Sequence, residues 1–130
     1  MSYFDKYGVE FSDDRKTLIK CPKDFQGTYE IPNGVVIIAR AAFSSCKDLI
    51  SVKIPTSVER IEWGAFIDCI NLSYMIIPEN VSFLGHQAFE NCENLRCIAL
   101  PTRITHIGSS TFYHASWQTY RLQLMASPES

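Results

Sequence analysis

Residues 72–92 read LSYMIIPENVSFLGHQAFENC, and the pattern inside this stretch returns along most of the chain. Equal steps of 23 residues separate the equivalent prolines, phenylalanines and cysteines, and an alanine takes the place of the last cysteine. The positions are Pro32, Pro55, Pro78 and Pro101; Phe43, Phe66, Phe89 and Phe112; and Cys46, Cys69, Cys92 and Ala115. A fixed period of this size is typical of a solenoid, in which each unit buries its apolar edge against its neighbours.

Each unit is predicted to begin with a short β-strand. Apolar residues alternate with outward-facing ones in residues 51–54, 74–77 and 97–100, which is the period of a strand with one buried face. The inward positions are Tyr29, Val52, Met75 and Ile98, each followed two residues later by Ile31, Ile54, Ile77 or Leu100. Stacking at one step predicts a parallel sheet with strands ~4.8 Å apart. The proline then ends the strand, because it has no N–H for the ladder.

The rest of the unit is predicted to return along the other side of the coil. Apolar pairs such as Val81 and Leu84 indicate extended chain there, and a second strand is left open. Alanine before Phe89 and cysteine three residues after it favour one helical turn, and the stacked phenylalanines are expected to form the spine of the core. Gly85 and Gly108 are interpreted as glycines that permit the turn into this segment.

The two ends differ from the middle. Residues 9–21 predict a β-hairpin with a five-residue polar loop that covers the first repeat. Near the C-terminus the period fails, and a one-residue insertion makes Tyr120 to Met125 a last strand. The prediction is one domain: a hairpin cap at residues 1–28, about four repeats at 29–115, and a closing strand with a frayed tail at 116–130.

Composition narrows the classes of protein. The 130 residues carry a net charge of −2, whereas a nucleic-acid binder more often shows a basic stripe, so no nucleic-acid partner is expected. No stretch approaches the roughly 18 apolar residues of a membrane span, and the N-terminus has no apolar signal-peptide core. Three of the five cysteines share one slot of the repeat, which favours packed free thiols; bridging between neighbouring rungs is the alternative, although parallel side chains seldom reach the required dihedral.

No catalytic residue, cofactor or metal site is predicted. His86, His106 and His114 occupy different slots of the repeat and lack partners at zinc-ligand spacing. A pairing of Cys97 with His106 or His114 is unfavourable because Cys97 is expected on the first strands and His106 on the far side of the coil. The sequence therefore predicts a protein that is not an enzyme.

The repeat unit resembles the BspA-like bacterial leucine-rich repeats. The resemblance rests on the consensus L-x-x-V/I-x-I-P-x-x-V-x-x-I-G-x-x-A-F-x-x-C, and it covers roughly Tyr29 to Ala115. It implies an α/β fold: a right-handed leucine-rich-repeat solenoid, or horseshoe, with a concave parallel sheet, short helical turns and an N-terminal hairpin cap. It also implies a cell-surface or secreted protein that takes part in adhesion to host proteins or to other cells.

A partner is expected on the concave face, where the outward residues of the first strands lie. The candidate partner-binding residues are Ser51, Lys53, Tyr74, Ile76, Cys97 and Ala99. Tyrosine is over-represented at interfaces; the alternative, which scattered exposed apolar residues favour, is that Tyr74 and Ile76 simply shield the sheet, and both interpretations stay open. On the convex side Phe83 stands out among its counterparts Ile37, Arg60 and His106; an irregular bend that buries it is favoured over a second contact surface.

Two functions follow as hypotheses. The first is a non-enzymatic module that binds a protein or glycoprotein partner through the concave sheet. The second is a structural or self-assembling repeat unit, or a fragment of a longer array, that associates through the open solenoid ends. Leu122, Leu124 and Met125 are the predicted seam for such pairing.

Overall fold

The computed structural model describes residues 2–102 and 104–115, which form eleven β-strands and no helix. The N-terminal strands are β1 (Tyr3–Phe4), β2 (Glu10–Phe11) and β3 (Thr17–Lys20). Each coil then contributes a first strand, namely β4 (Gly27–Glu30), β6 (Leu49–Lys53), β8 (Tyr74–Ile76) or β10 (Cys97–Ala99). It also contributes a second strand, namely β5 (Ile37–Ile38), β7 (Arg60–Ile61), β9 (Phe83–Leu84) or β11 (His106–Ile107). The result is a β-solenoid of about four turns with parallel sheets.

The second strands form the longest sheet of the molecule. Its seven strands run in the order β1-β2-β3-β5-β7-β9-β11, and the solenoid strands pair in parallel with a step of one repeat, for example Arg60 opposite Phe83. The hairpin predicted for residues 9–21 is present as β2 and β3, which pair antiparallel. Because β3 also pairs in parallel with β5, the hairpin extends the sheet of second strands at the first coil. The sequence pattern did not indicate β1.

The first strands form two shorter ladders. β4 pairs with β6 and β8 pairs with β10, both in parallel. One backbone hydrogen bond, from the Ser73 N–H to the Ile50 carbonyl (2.8 Å), joins the chain at the gap between β6 and β8. The register shifts between Gly27 and Thr28, where β6 contains one residue more than β4. The continuous parallel sheet predicted for the first strands is therefore interrupted in the middle.

The phenylalanines of successive coils stack as predicted. Phe43, Phe66 and Phe89 are fully buried, and their ring centroids lie 4.8 Å and 5.2 Å apart with interplanar angles of 7° and 1°. Phe112 continues the column 5.8 Å beyond Phe89. The inward aliphatic residues of every strand pack around this column. Each coil is thus held mainly by burial of apolar area against the next coil.

The predicted helical turn is not formed. Residues at two slots of the repeat, Ala41 and Ser45 in the first coil, have positive φ angles of 55° and 58°. The N–H groups of Ala41, Phe43 and Ser45 donate to the carbonyls of the next coil over 3.0, 2.7 and 2.9 Å. Alternate N–H groups therefore point along the solenoid axis to the next coil. In a helix the same N–H groups would donate to carbonyls four residues earlier in their own segment. The segment is a run of tight turns that carries a third set of hydrogen bonds between coils.

Gly85 and Gly108 have a different role from the one predicted. Neither has a positive φ. A Cβ added to Gly85 would lie 2.5 Å from the backbone nitrogen of Trp63, and one added to Gly108 would lie 2.3 Å from that of His86. These glycines allow the close approach of successive coils. The predicted last strand from Tyr120 to Met125 and its seam residues lie outside the described residues.

Candidate functional site

The six predicted binding residues lie on three first strands. β6 carries Ser51 and Lys53, β8 carries Tyr74 and Ile76, and β10 carries Cys97 and Ala99. The register places Cys97 beside Tyr74 and Ala99 beside Ile76. Thr28 and Glu30 of β4 stand beside Ser51 and Lys53 in the other ladder. We call the outward side of β4, β6, β8 and β10 the first-strand face.

An apolar patch occupies the centre of the first-strand face. Ile76 is 66% exposed and Tyr74 is 47% exposed, although both belong to regular strand positions. Cys97 beside them is exposed and Ala99 is half-buried. Lys53 is also exposed and gives the patch a positive charge at one side. Two large apolar side chains thus remain accessible at the centre of the face, and tyrosine is a residue type enriched at protein interfaces.

Ser51 does not lie at the surface as predicted. Its residue exposure is only 2%, and its hydroxyl shares a 3.1 Å hydrogen bond with the hydroxyl of Thr28. The short serine side chain lies below the level of its larger neighbours in the column, Thr28 and Tyr74. Ser51 therefore supports the face through the β4–β6 ladder and does not offer a contact to a partner.

A shallow cavity opens where the two ladders are interrupted. Its volume is about 300 Å³. It is lined by residues 51–53 of β6, by Ile54, which follows that strand, and by residues 74–76 of β8. Four of the six predicted residues thus surround one depression. Cys97 and Ala99 do not line it and extend the face on its far side. The depression could receive a side chain of a partner.

The cysteine column is part of the core, as predicted. Cys21, Cys46, Cys69 and Cys92 are buried free thiols, and Cys97 alone of the five is exposed. The thiols of Cys69 and Cys92 donate to the carbonyls of Phe43 and Phe66 in the preceding coil, over 2.9 and 3.1 Å. Burial raises the pKa of the Cys92 thiol to about 12 and raises the pKa of the Cys69 thiol as well. These thiols are structural donors and poor nucleophiles.

Metal ligands do not converge in the part of the chain that the structure describes. No group of three or more histidine, cysteine, aspartate or glutamate side chains there could hold an ion. Two histidines serve the stacking of the coils: Nδ1 of His86 accepts from the Ser109 N–H at 2.8 Å, and Nδ1 of His114 lies 3.0 Å from Oδ1 of Asn91. No helix in residues 2–102 and 104–115 is long and apolar enough to cross a membrane.

Phe83 is neither buried by a bend nor left bare. It keeps its register on β9 and is half-buried, with the Arg60 guanidinium 4.0 Å from its ring centre and the His106 ring stacked 4.6 Å away. These three side chains form an outward ladder on successive second strands. The ladder shields the aromatic ring within a regular sheet, so the predicted bend is wrong.

Sequence reasoning missed an aromatic cluster at the N-terminal end. Tyr7, Phe25 and Tyr29 pack edge to face, with centroids 5.5 to 6.1 Å apart. Asp5 holds the cluster together, since its carboxylate accepts bonds from the N–H groups of Tyr7 and Val9 and from the Tyr29 hydroxyl. Burial, reinforced by the bond to Asp5, raises the pKa of Tyr29. Tyr7 and Phe25 stand outside the 23-residue period, so the repeat pattern gave no signal for them.

The fold is that of a leucine-rich-repeat-like solenoid, and comparison with known families identifies the type of repeat. A family model described as BspA type leucine rich repeat region (6 copies) matches residues 23–126. The match spans most of the chain, and the protein therefore belongs to the BspA-type leucine-rich repeat family. No curated protein sequence matches this chain.

Solved structures of bacterial repeat proteins are similar to this solenoid. A leucine-rich repeat protein from Eubacterium ventriosum is 26% identical, with a TM-score of 0.71, over 75% of this chain and 26% of the other. One from Bacteroides ovatus is 27% identical, with a TM-score of 0.68, over 88% and 31%. A leucine rich cell surface protein from Faecalibacterium prausnitzii is 26% identical, with a TM-score of 0.54, over 99% and 40%. The chain thus spans between a quarter and two fifths of these proteins' lengths.

Proposed function

We propose that this protein is a non-catalytic module that binds a protein or glycoprotein partner through the first-strand face. The observation that carries the proposal is the pair of exposed residues Tyr74 and Ile76 beside a cavity of about 300 Å³ on an otherwise regular sheet. The inward columns of the repeat hold their residue types, whereas the outward columns vary from coil to coil. A scaffold with a constant interior and a variable face suits recognition.

The shape of the coil is part of the proposal. The coil is right-handed and curved into a horseshoe, and the first-strand face lies on its concave side. Within the one domain that we propose, residues 1–28 would form a cap and residues 29–115 the repeats. Such a curve would surround a partner surface with Lys53, Tyr74, Ile76, Cys97 and Ala99, and Ser51 would support them from below.

Adhesion at a cell surface is the biological setting that we propose. Family membership and the similarity to a protein that is itself described as a cell surface protein support this setting. Membership of a repeat family supports a non-enzymatic role, because such repeats present extended binding surfaces. The buried cysteines fit this role, since three of the four donate to backbone carbonyls. The partner would be a protein or glycoprotein of a host or of another cell.

Cys97 provides a direct experiment. It is the one exposed cysteine among five, and it lies beside Tyr74 at the centre of the face. A maleimide that carries benzophenone should therefore label native protein at this position alone. Illumination in an extract of epithelial-cell surface proteins, and separately in a bacterial extract, should produce a discrete crosslinked species.

The matched control moves the label off the face. In a Cys97→Ser background, Trp63→Cys carries the same reagent on a turn segment, and Trp63 is 41% exposed, close to the 47% of Tyr74. The proposal predicts a crosslink from position 97 and none to the same protein from position 63. Equal crosslinking from both positions, or none from position 97 in either extract, would refute the assignment of the face.

Self-association is the second candidate function. It is favoured by the outer edge of β4, which pairs with no other strand among the described residues. Exposed sheet edges invite pairing with another copy. Light scattering over a dilution series separates the two functions. A protein that stays monomeric at all concentrations would exclude self-association and leave binding of a partner as the one function of the two.

A further inference from the structure

The edge of β4 is bordered by a groove that the repeat pattern did not predict. The N-terminal hairpin extends the sheet of second strands, so it leaves the first strand of the first coil without a neighbour on its outer side. The groove has a volume of about 880 Å³. It is lined by residues 28–33 without a gap, and by Tyr7 and residues 24–26. Of these, residues 28–30 belong to β4, so the groove borders the strand and continues past its end.

Backbone groups of β4 point into this groove. The Gly27 N–H donates to the Asp48 carbonyl and the Ile31 N–H donates to the Lys53 carbonyl, both over 3.0 Å. Residues of a parallel strand alternate in the side to which their N–H and C=O groups point. Odd-numbered residues of β4 therefore face β6, and Thr28 and Glu30 present their backbone groups to the groove. These are the groups that an added strand would pair with.

Aromatic side chains line the groove beside the strand edge, and Tyr7 comes from a separate loop of the chain. Tyr7 is 53% exposed, and its ring packs edge to face against Phe25 and Tyr29. The loop that carries Tyr7 is fixed by the Asp5 carboxylate, which accepts from its N–H at 2.9 Å. A preformed wall lowers the entropy lost when a ligand binds. Aromatic side chains opposite a free strand edge can cover the apolar side chains of an extended peptide.

The charge of the lining selects the kind of peptide. Asp24 and Glu30 are exposed acidic residues of the groove, and no lysine, arginine or histidine lines it. Complementary charge favours a partner segment with lysine or arginine. β4 itself spans four residues, Gly27–Glu30, or roughly 13 Å at the rise of a β-strand, so about four residues of a peptide could pair along it.

We propose that the outer edge of β4 binds a basic, extended segment of a partner protein, which adds a strand to the β4–β6 ladder beneath Tyr7. The site is separate from the patch at Tyr74 and Ile76, and the inference does not depend on that patch. A second copy of this chain would be a different occupant of the same edge.

A labelled heptapeptide that alternates lysine with valine tests the proposal. We expect it to bind the wild-type protein in fluorescence anisotropy and to slow hydrogen exchange of the Thr28 and Glu30 amides. The same peptide with every backbone nitrogen methylated keeps its side chains and charge but has no backbone N–H donors, and it should not bind. A peptide with glutamate in place of lysine should bind at least about tenfold more weakly, because its charge matches that of the groove.

Variants of the protein complete the test. Glu30→Lys and Tyr7→Ala should each weaken binding of the lysine peptide about tenfold, the loss expected for one good contact. Glu59→Lys is the matched control, since Glu59 is an exposed acid outside the groove, and its affinity should equal that of the wild type. Thermal unfolding shows whether each variant is folded. Tyr74→Ala should also bind the peptide normally, which separates this site from the first-strand face.

Three results would overturn the proposal. The first is absence of binding by the lysine peptide, and the second is equal binding of the methylated peptide, which would show that the backbone does not pair. The third is a wild-type dimer in light scattering that Glu30→Lys dissociates, which would make a second copy the occupant of the edge.

Discussion

The rings of Phe66 and Phe89 lie 5.2 Å apart and within 1° of parallel, although 23 residues separate them in the chain. Both side chains are fully buried. Parallel, offset aromatic rings at this distance are a favourable arrangement, and each ring buries a large apolar area. The contact fixes the rotational phase of one coil on the next, and the outward residues of the strands therefore also form columns.

Removal of a ring from the middle of the column should destabilise the whole solenoid. For Phe66→Ala we expect a loss of about 3–5 kcal/mol in the free energy of unfolding, the usual range for a buried phenylalanine. Urea denaturation followed by circular dichroism measures it. Phe83→Ala is the control, because this half-buried ring should cost only about 1 kcal/mol, mainly its contact with Arg60. Equal losses would show that the column is not the core.

Gly85 should be intolerant of any side chain. A Cβ at this position would lie 2.5 Å from the Trp63 backbone nitrogen, so Gly85→Ala must push two coils apart. We expect a loss of about 3 kcal/mol or more. Gly64→Ala is the matched control, since its φ of 60° is shared by Ala41, Gln87 and Ser110 at the same slot. Gly64→Ala should lower the free energy of unfolding by about 1 kcal/mol. A larger loss for Gly64→Ala than for Gly85→Ala would contradict the close approach of the coils.

Alkaline pH should weaken the fold through its buried thiols. The pKa of Cys92 is raised to about 12 from an ordinary value of 9.0 because the thiol is desolvated. The folded state keeps the proton above pH 9, whereas the unfolded state releases it. The stability that this group contributes is therefore complete below about pH 9 and falls by up to ~1.4 kcal/mol per pH unit above it.

The Cys92→Ala variant isolates this effect. Its free energy of unfolding should be lower than that of the wild type at pH 7, because the bond to the Phe66 carbonyl and some packing are lost. Between about pH 9 and pH 10.5 its stability should fall less steeply than that of the wild type. Denaturant unfolding at a series of pH values gives both slopes. Parallel curves would mean that the thiol ionises as readily in the folded state as in the unfolded state.

The sequence predicted the parts of the fold that repeat. The columns of Phe43, Phe66 and Phe89 and of the buried cysteines follow from the 23-residue period, because residues at one slot must meet when the coils stack. The inward positions of the first strands and the hairpin of residues 9–21 were also predicted correctly. Alternation of apolar residues identifies a buried strand face whatever the partner of that strand is.

The missed features depend on contacts between coils. Asp68 and Asn91 hold positive φ angles of 63° and 61°, and their N–H groups donate to the next coil, which excludes the predicted helical turn. Local sequence alone favours a helix at that place, since alanine and phenylalanine give no sign of the hydrogen bonds between coils. The burial of Ser51 was missed for the same reason, because it depends on neighbours one coil away.

The candidate site was predicted only in outline. Alternation placed Tyr74 and Ile76 on the outward side of a strand, and the structure confirms their exposure. The cavity between β6 and β8 arises from an interrupted ladder, which no local pattern indicates. The groove beside β4 was not predicted because Tyr7 and Phe25 lie outside the repeat and meet Tyr29 only in the folded chain.

The binding role of the first-strand face is the claim on which this account depends, and one comparison of variants tests it most directly. Immobilised wild-type protein, Tyr74→Ala/Ile76→Ser and Trp63→Ala are exposed to the surface-protein extract, after thermal unfolding has shown that the three are equally stable. We predict that the wild type and Trp63→Ala retain the same partner and that the double variant loses it. Retention of that partner by the double variant would contradict the assignment of the face.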